Sequence, residues 1–244
     1  MTQSKPENNK VAIMQPTYLP WAGYFNMMNY ADIFVMLDDV QFNKRSWQQR
    51  NKILFQGAEK ILTISVKSKG LANQKILDVE IADYRDLSRH FEQIKSSYKN
   101  SFFFYQISDG LKSIYNSRFE KLIDLNIALI NFFKEILEIK TKIIFASNLN
   151  ITGSKSQLML NILNSINTGT FLSAPGSRKY IEDEGILQNQ GFKINYFEQT
   201  PIEYKQFNSS VFLPYLSIID LIANVGIDSA RKDFYMKYKE TNLL

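Results

Sequence analysis

The chain has 244 residues, 45% of them apolar and 22% charged, which supplies one core of ordinary size and fits a single α/β unit. It has no cysteine and one histidine, His90, which excludes disulfides, cysteine nucleophiles and thiolate or multi-histidine metal centres, so no metal site is expected. The net charge is +5, yet residues 41–69 hold seven basic side chains against the single acid Glu59 while the rest carries 22 basic and 23 acidic, a pattern of one local anion site and not of a nucleic-acid-coating surface.

Residues 1–9 are polar, with no apolar centre for a secretory signal, and are expected to be a disordered tail before one α/β domain over 10–244. The apolar run 11–14 stops at Gln15 and Pro16 and predicts a buried strand. Helical spacing through Trp21, Tyr24, Phe25, Met28 and Ala31, with Pro20 suited to a first turn, predicts a helix over 20–31. A second strand over 33–37, ending in Asp38 and Asp39, completes a βαβ unit. Strands at 52–55 and 60–66 around Gln56 and Gly57 predict a hairpin. A helical segment over about 84–138 follows. In it Leu87, Phe91, Ile94 and Tyr98 share one stripe, and a long helix over 118–139 carries a polar Asn126 within its apolar stripe. Strands are expected at 141–146, 170–173 and 192–197, and helices at 156–166, 179–189 and 214–225, with Gly226 as a stop. Alternation of this kind predicts a mostly parallel, Rossmann-like sheet flanked by helices. The longest apolar runs, such as 127–133, are broken by charge well short of the roughly 20 residues that span a bilayer, so a cytoplasmic protein without a membrane span is expected.

Ligands of open parallel sheets bind beyond the carboxyl ends of the strands. The loop after the first strand offers the amide of Gln15 and the aromatics Tyr18, Trp21 and Tyr24, fit for a base or a sugar, although the aromatics also suit a core. After the second strand come Asp38 and Asp39, whose side chains point to opposite faces, then Gln41, Arg45, Trp47, Arg50 and Asn51. These pair fork-like donors with an aromatic and suit a diphosphate with an attached ring. No Gly-rich phosphate loop is present. His90 sits at the border of a buried stripe, either structural or a general base. Ser217, Asp220 and Asn224 form a polar seam on the last long helix that must be paired internally or face a ligand or partner.

These residues resemble the WbqC-like protein family, whose members occur in bacterial surface-polysaccharide gene clusters. The matching blocks are 15–25 (QPTYLPWAGYF), 37–42 (LDDVQF), Trp47 with Arg50 and Asn51, His90 with Ile94 and Tyr98, Leu125 with Asn126, Ser147, Tyr180, Tyr204 with Gln206, and 216–221 (LSIIDL). Within 171–176 (FLSAPG) the chain departs from the glycine that more often follows the serine. A more distant likeness, of fold alone, is to pantothenate synthetase and related enzymes, which carry two histidines about the glycine turn; here that stretch is Trp21-Ala22-Gly23-Tyr24. The resemblance implies a role in O-antigen or capsule sugar synthesis. The expectation is a transferase attaching a small acyl, aminoacyl or formimidoyl group, from a donor the sequence does not name, to the amine of a nucleotide-linked amino sugar. His90 is the expected base, Asp38 a second proton acceptor or sugar ligand, and Asn126 and Ser147 polar partners of the reacting group. The alternative is a non-catalytic nucleotide-sugar-binding or assembly protein.

Overall fold

In the computed structural model, which describes residues 7–236 and 241–242, the leading apolar run forms β1 (Glu7–Met14). Three residues of the expected tail, 7–9, therefore belong to a strand, and 1–6 lie outside the described residues. α1 (Ala22–Tyr30) and β2 (Ile33–Met36) follow as expected, and β2 lies parallel to β1 with Val11 opposite Ile33 and Met14 opposite Met36. β3 (Arg50–Phe55) and β4 (Ala58–Thr63) make the antiparallel hairpin. Its turn, Gln56 and Gly57, has positive φ at both positions (52° and 79°), the twist that a two-residue hairpin needs.

The helical segment contains α2 (Arg85–Tyr98), α3 (Tyr105–Asn116) and α4 (Leu122–Ile136). Then come β5 (Lys142–Phe145), α5 (Lys155–Ile166) and β6 (Thr168–Ser173). The helix expected over 179–189 is split into α6 (Arg178–Glu184) and α7 (Ile186–Asn189), because Gly185 adopts φ 61° and ends the first piece. β7 (Lys193–Tyr196), α8 (Ile218–Val225), α9 (Ile227–Met236) and β8 (Thr241–Asn242) complete the chain.

The main sheet has the order β5-β2-β1-β6-β7-β8, parallel except for β8. Alternation along each strand feeds two cores. Ala12, Phe34, Met36 and Leu172 face the larger one, shared with α1 to α4, the hairpin and α8; Val11, Ile13, Val35 and Phe171 face a smaller one under α5 to α7. The chain leaves β1 toward β2 on one side, while β6 lies on the other, so the topological switch point falls between β1 and β6.

Candidate functional site

A cleft of about 290 Å³ opens at that switch point, beyond the carboxyl ends of β1 and β6. Gln15 and Thr17 reach it from β1, Trp47 and Gln48 from the loop before β3, and Ser173, Ser177 and Tyr180 from the end of β6 and the turn into α6. Gln48 donates its amide to Oε1 of Gln15 at 2.8 Å, so the two chain segments present one polar wall. Trp47 is half-exposed at the rim, and the Arg50 guanidinium carbon lies 5.9 Å from its ring centre. The Nε of Arg50 is buried and has no hydrogen-bond partner among the described residues. Burial pushes the phenol of Tyr180 above its ordinary pKa, with a hydrogen bond from Ser177 opposing the shift.

The loop 15–20 is held from beneath. Asn51, buried, donates to the carbonyls of Tyr18 (3.0 Å) and Leu19 (2.7 Å) and accepts from the Lys52 amide. Leu19 sits at φ 44°, a left-handed conformation that disfavours a branched side chain, and these bonds hold it there. The Tyr18 amide donates to the Trp47 carbonyl, and Asn126 donates to the Gln48 carbonyl at 2.8 Å. Asn51 and Asn126 thus shape the cleft without lining it.

Asp38 accepts the Ser147 amide at 2.9 Å and the Ser147 hydroxyl at 2.6 Å, which ties the carboxyl end of β2 to that of β5. The pair was expected near the reacting group; Asp38 is buried, Ser147 half-buried, and the two satisfy each other outside the cleft lining. Asp39 lies 3.9 Å from Lys75, and Gln41 donates to the Ala72 carbonyl, both outside the cleft lining. Arg45 is exposed at φ 60°, its amide bonded to Gln49.

His90, expected as a base at the cleft edge, is buried and shares a 2.8 Å hydrogen bond with the Tyr18 hydroxyl, which shares another of 2.6 Å with Tyr115. Burial holds its pKa down at about 4, opposed by Asp86 and reinforced by Arg89 and Lys60. With its Nδ1 unprotonated the neutral ring accepts a hydrogen bond from the Tyr18 hydroxyl and Tyr115 donates to Tyr18; in the other tautomer both bonds reverse, and in either the chain of three fixes Tyr18 from below. Tyr24 is buried and directs its hydroxyl at the Gln15 carbonyl (3.4 Å) and the Met36 sulfur. Trp21 is half-buried against Tyr215, and a Cβ on Gly23 would fall 2.2 Å from its ring, so only glycine admits this placement.

The polar seam of α8 is paired internally except for Oδ1 of Asp220, which is buried with no hydrogen-bond partner among the described residues. Asp220 accepts from Tyr204 (2.6 Å) and Gln206 (2.8 Å), Asn224 accepts the Phe207 amide, and Ser217 caps the helix. Gln48, Ser173, Ser177 and Tyr180 were not assigned to the site from sequence; Gln48 was legible as an amide inside the Trp47–Arg50 block, whereas the serines reach the cleft through strand order alone. Among the described residues, no group of three or more His, Cys, Asp or Glu side chains could hold a metal ion, and no helix is long and apolar enough to cross a membrane.

The model of the WbqC-like protein family matches residues 15–232, from the first residue of the cleft loop into α9. The uncharacterized protein Rv1507c of Mycobacterium tuberculosis is 30% identical over 231 residues, covering 94% of this chain and 98% of that protein. No solved structure gives a significant match. The match takes in the loop that follows β1, the segment before β3 and the carboxyl end of β6, and the chain belongs to the WbqC-like protein family.

Proposed function

We propose that the chain is a transferase that holds a nucleotide-linked amino sugar in the switch-point cleft and transfers a small acyl group to its amine. The observation that carries this reading is the cleft itself. One wall is the Gln15–Gln48 amide pair with the Ser173 and Ser177 hydroxyls, suited to sugar hydroxyls, and its rim is Trp47 with the underused guanidinium of Arg50, suited to a base and a diphosphate. The segment 41–69, which carries the surplus positive charge, contributes both Trp47 and Arg50 to this rim. His90 is in this account a positioning residue, setting Tyr18 and the turn at Thr17. The reading carries with it a cytoplasmic setting and a place in surface-polysaccharide synthesis.

A second reading, binding without chemistry, is favoured by one feature: Tyr180 is the sole titratable side chain among the described cleft-lining residues. Calorimetry with a UDP-linked amino sugar, followed by mass spectrometry of incubations with activated acyl donors, separates the two. Saturable binding with an N-acylated product supports the transferase; binding with no product under any donor supports the alternative; no binding defeats both.

A further inference from the structure

Met14 and Ala174 line the cleft and also line a second, apolar hollow of about 220 Å³ further along the carboxyl edge of the sheet, walled by Trp21, Met27, Pro175, Phe197 and Tyr215. Trp21, Tyr215 and Gln199 are shared in turn with a smaller hollow of about 100 Å³ that ends against Leu221 and Val225 of α8. The three adjoin through these shared residues into one trough; the polar side chains Gln15, Gln48, Ser173 and Ser177 belong to the first, and the other two are mainly apolar. Gln199 is the exception in the apolar part: its Oε1 is buried with no hydrogen-bond partner among the described residues. A lone acceptor in an apolar slot is costly unless a donor arrives to meet it.

We propose that this apolar trough is the donor subsite, holding an acyl group as a thioester on a pantetheine-type arm, end to end with the sugar across Met14 and Ala174. The proposal rests on the transferase reading above. Charge selects the donor class. An acyl phosphate or adenylate carries anionic oxygens, and the described residues lining both apolar hollows include no Lys, Arg or His but do include Glu203. A thioester is uncharged at its reacting end, and its arm carries amide N–H groups that match the free acceptor of Gln199. In the step, the sugar's amine nitrogen attacks the thioester carbonyl carbon and a C–N bond forms as the C–S bond breaks. The nitrogen's proton goes to the departing thiolate, leaving an amide and a free thiol.

The chain has two tryptophans, Trp47 in the cleft and Trp21 shared by the two apolar hollows, and each reports its own subsite. In a Trp47→Phe protein, titration with the butyryl thioester of N-acetylcysteamine and with butyryl-coenzyme A is expected to give a saturable change in Trp21 emission. Gln199→Leu and Tyr215→Ala, each made in that background at partly exposed side chains, are each expected to raise Kd roughly tenfold. Tighter binding of the coenzyme A thioester supports coenzyme A as the source; binding of the minimal thioester with the coenzyme A form excluded supports a carrier protein. No saturable change with either thioester, or unaltered affinity in both variants, overturns the proposal. A parallel titration of Trp21→Phe with UDP-glucosamine reads Trp47. A sugar response without a thioester response removes the donor subsite alone, and the reverse keeps the donor subsite and removes the nucleotide-sugar reading.

Discussion

Asn51 makes three hydrogen bonds through one buried amide, and two of them hold the carbonyls of Tyr18 and of the strained Leu19. Asn51→Ala leaves those carbonyls buried and unmet, which is expected to cost about 2 to 4 kcal/mol in urea unfolding and to weaken ligand binding by loosening the loop 15–20. A loss under about 0.5 kcal/mol would contradict this role. His90 offers a second test at the same scale, because as the single imidazole its NMR signals need no assignment. Its folded pKa is depressed to about 4 by burial, below the unfolded 6.5. Its neutral form therefore contributes stability that is fully present above about pH 6.5 and is lost as pH falls through about 4, in total roughly 3 kcal/mol. The expected midpoint is near 4, and His90→Gln is expected to flatten the acid limb of the stability profile between pH 6 and 4. A midpoint near 6.5 would place the ring in solvent.

At the scale of elements, the segment between β7 and α8 has no regular structure of its own, yet it walls the apolar trough. It is fixed by side chains: Gln206 donates to the Leu213 carbonyl and accepts its amide, both near 2.9 Å, and also donates to Asp220. Burial raises the Asp220 carboxyl above the usual range despite the donors from Tyr204, Gln206 and Tyr98. Gln206→Ala is expected to release this segment, with limited proteolysis within 207–215 at least tenfold faster and the parallel sheet intact by circular dichroism. An unchanged cleavage rate would show that packing of Phe212 and Tyr215 suffices. The same scale shows why some elements were legible and others were not. β1, β2, α1 and the hairpin announce themselves through apolar runs, helical apolar spacing and a Gln-Gly turn, although Pro20, expected in the first turn of α1, lies before its N-cap Trp21. α3 falls inside the helical segment expected over about 84–138 but is not delimited there, because Gly110, where a Cβ would meet Phe132 at 2.3 Å, sits beside its short buried stripe of Ile107, Leu111 and Tyr115. The helix over 179–189 was read as one because Gly185 within a helical pattern does not reveal its positive φ.

For the molecule as a whole, strand order makes the site. β6 is far from β1 in sequence but beside it in the sheet, so Ser173, Ser177 and Tyr180 come to face Gln15 and Trp47 across the switch point. Residue type alone pointed to Gln15 and Trp47, which line the cleft, and to Arg50, which lies beside Trp47. It did not separate lining residues from supporting ones: Asn51, Asn126, Asp38 with Ser147, and His90 are polar in sequence for the same reason as ligand-binding groups, and only their buried partners distinguish them. The charge of 41–69 belongs to this scale as well. Arg50→Ala is expected to weaken binding of a nucleotide-linked sugar by about one to two decades, and Arg45→Ala by less, since Arg50 lies beside the Trp47 ring whereas Arg45 is exposed to solvent screening. Equal affinity in the Arg45→Ala, Arg50→Ala and doubly substituted proteins would take the basic segment out of the site. The most direct test of the central claim is a crystal structure of the protein soaked with a UDP-linked amino sugar. The account predicts the diphosphate beside Arg50, the uracil on Trp47 and the sugar between Gln15 and Ser173; a ligand bound elsewhere, or an empty cleft at saturating concentration, would contradict it.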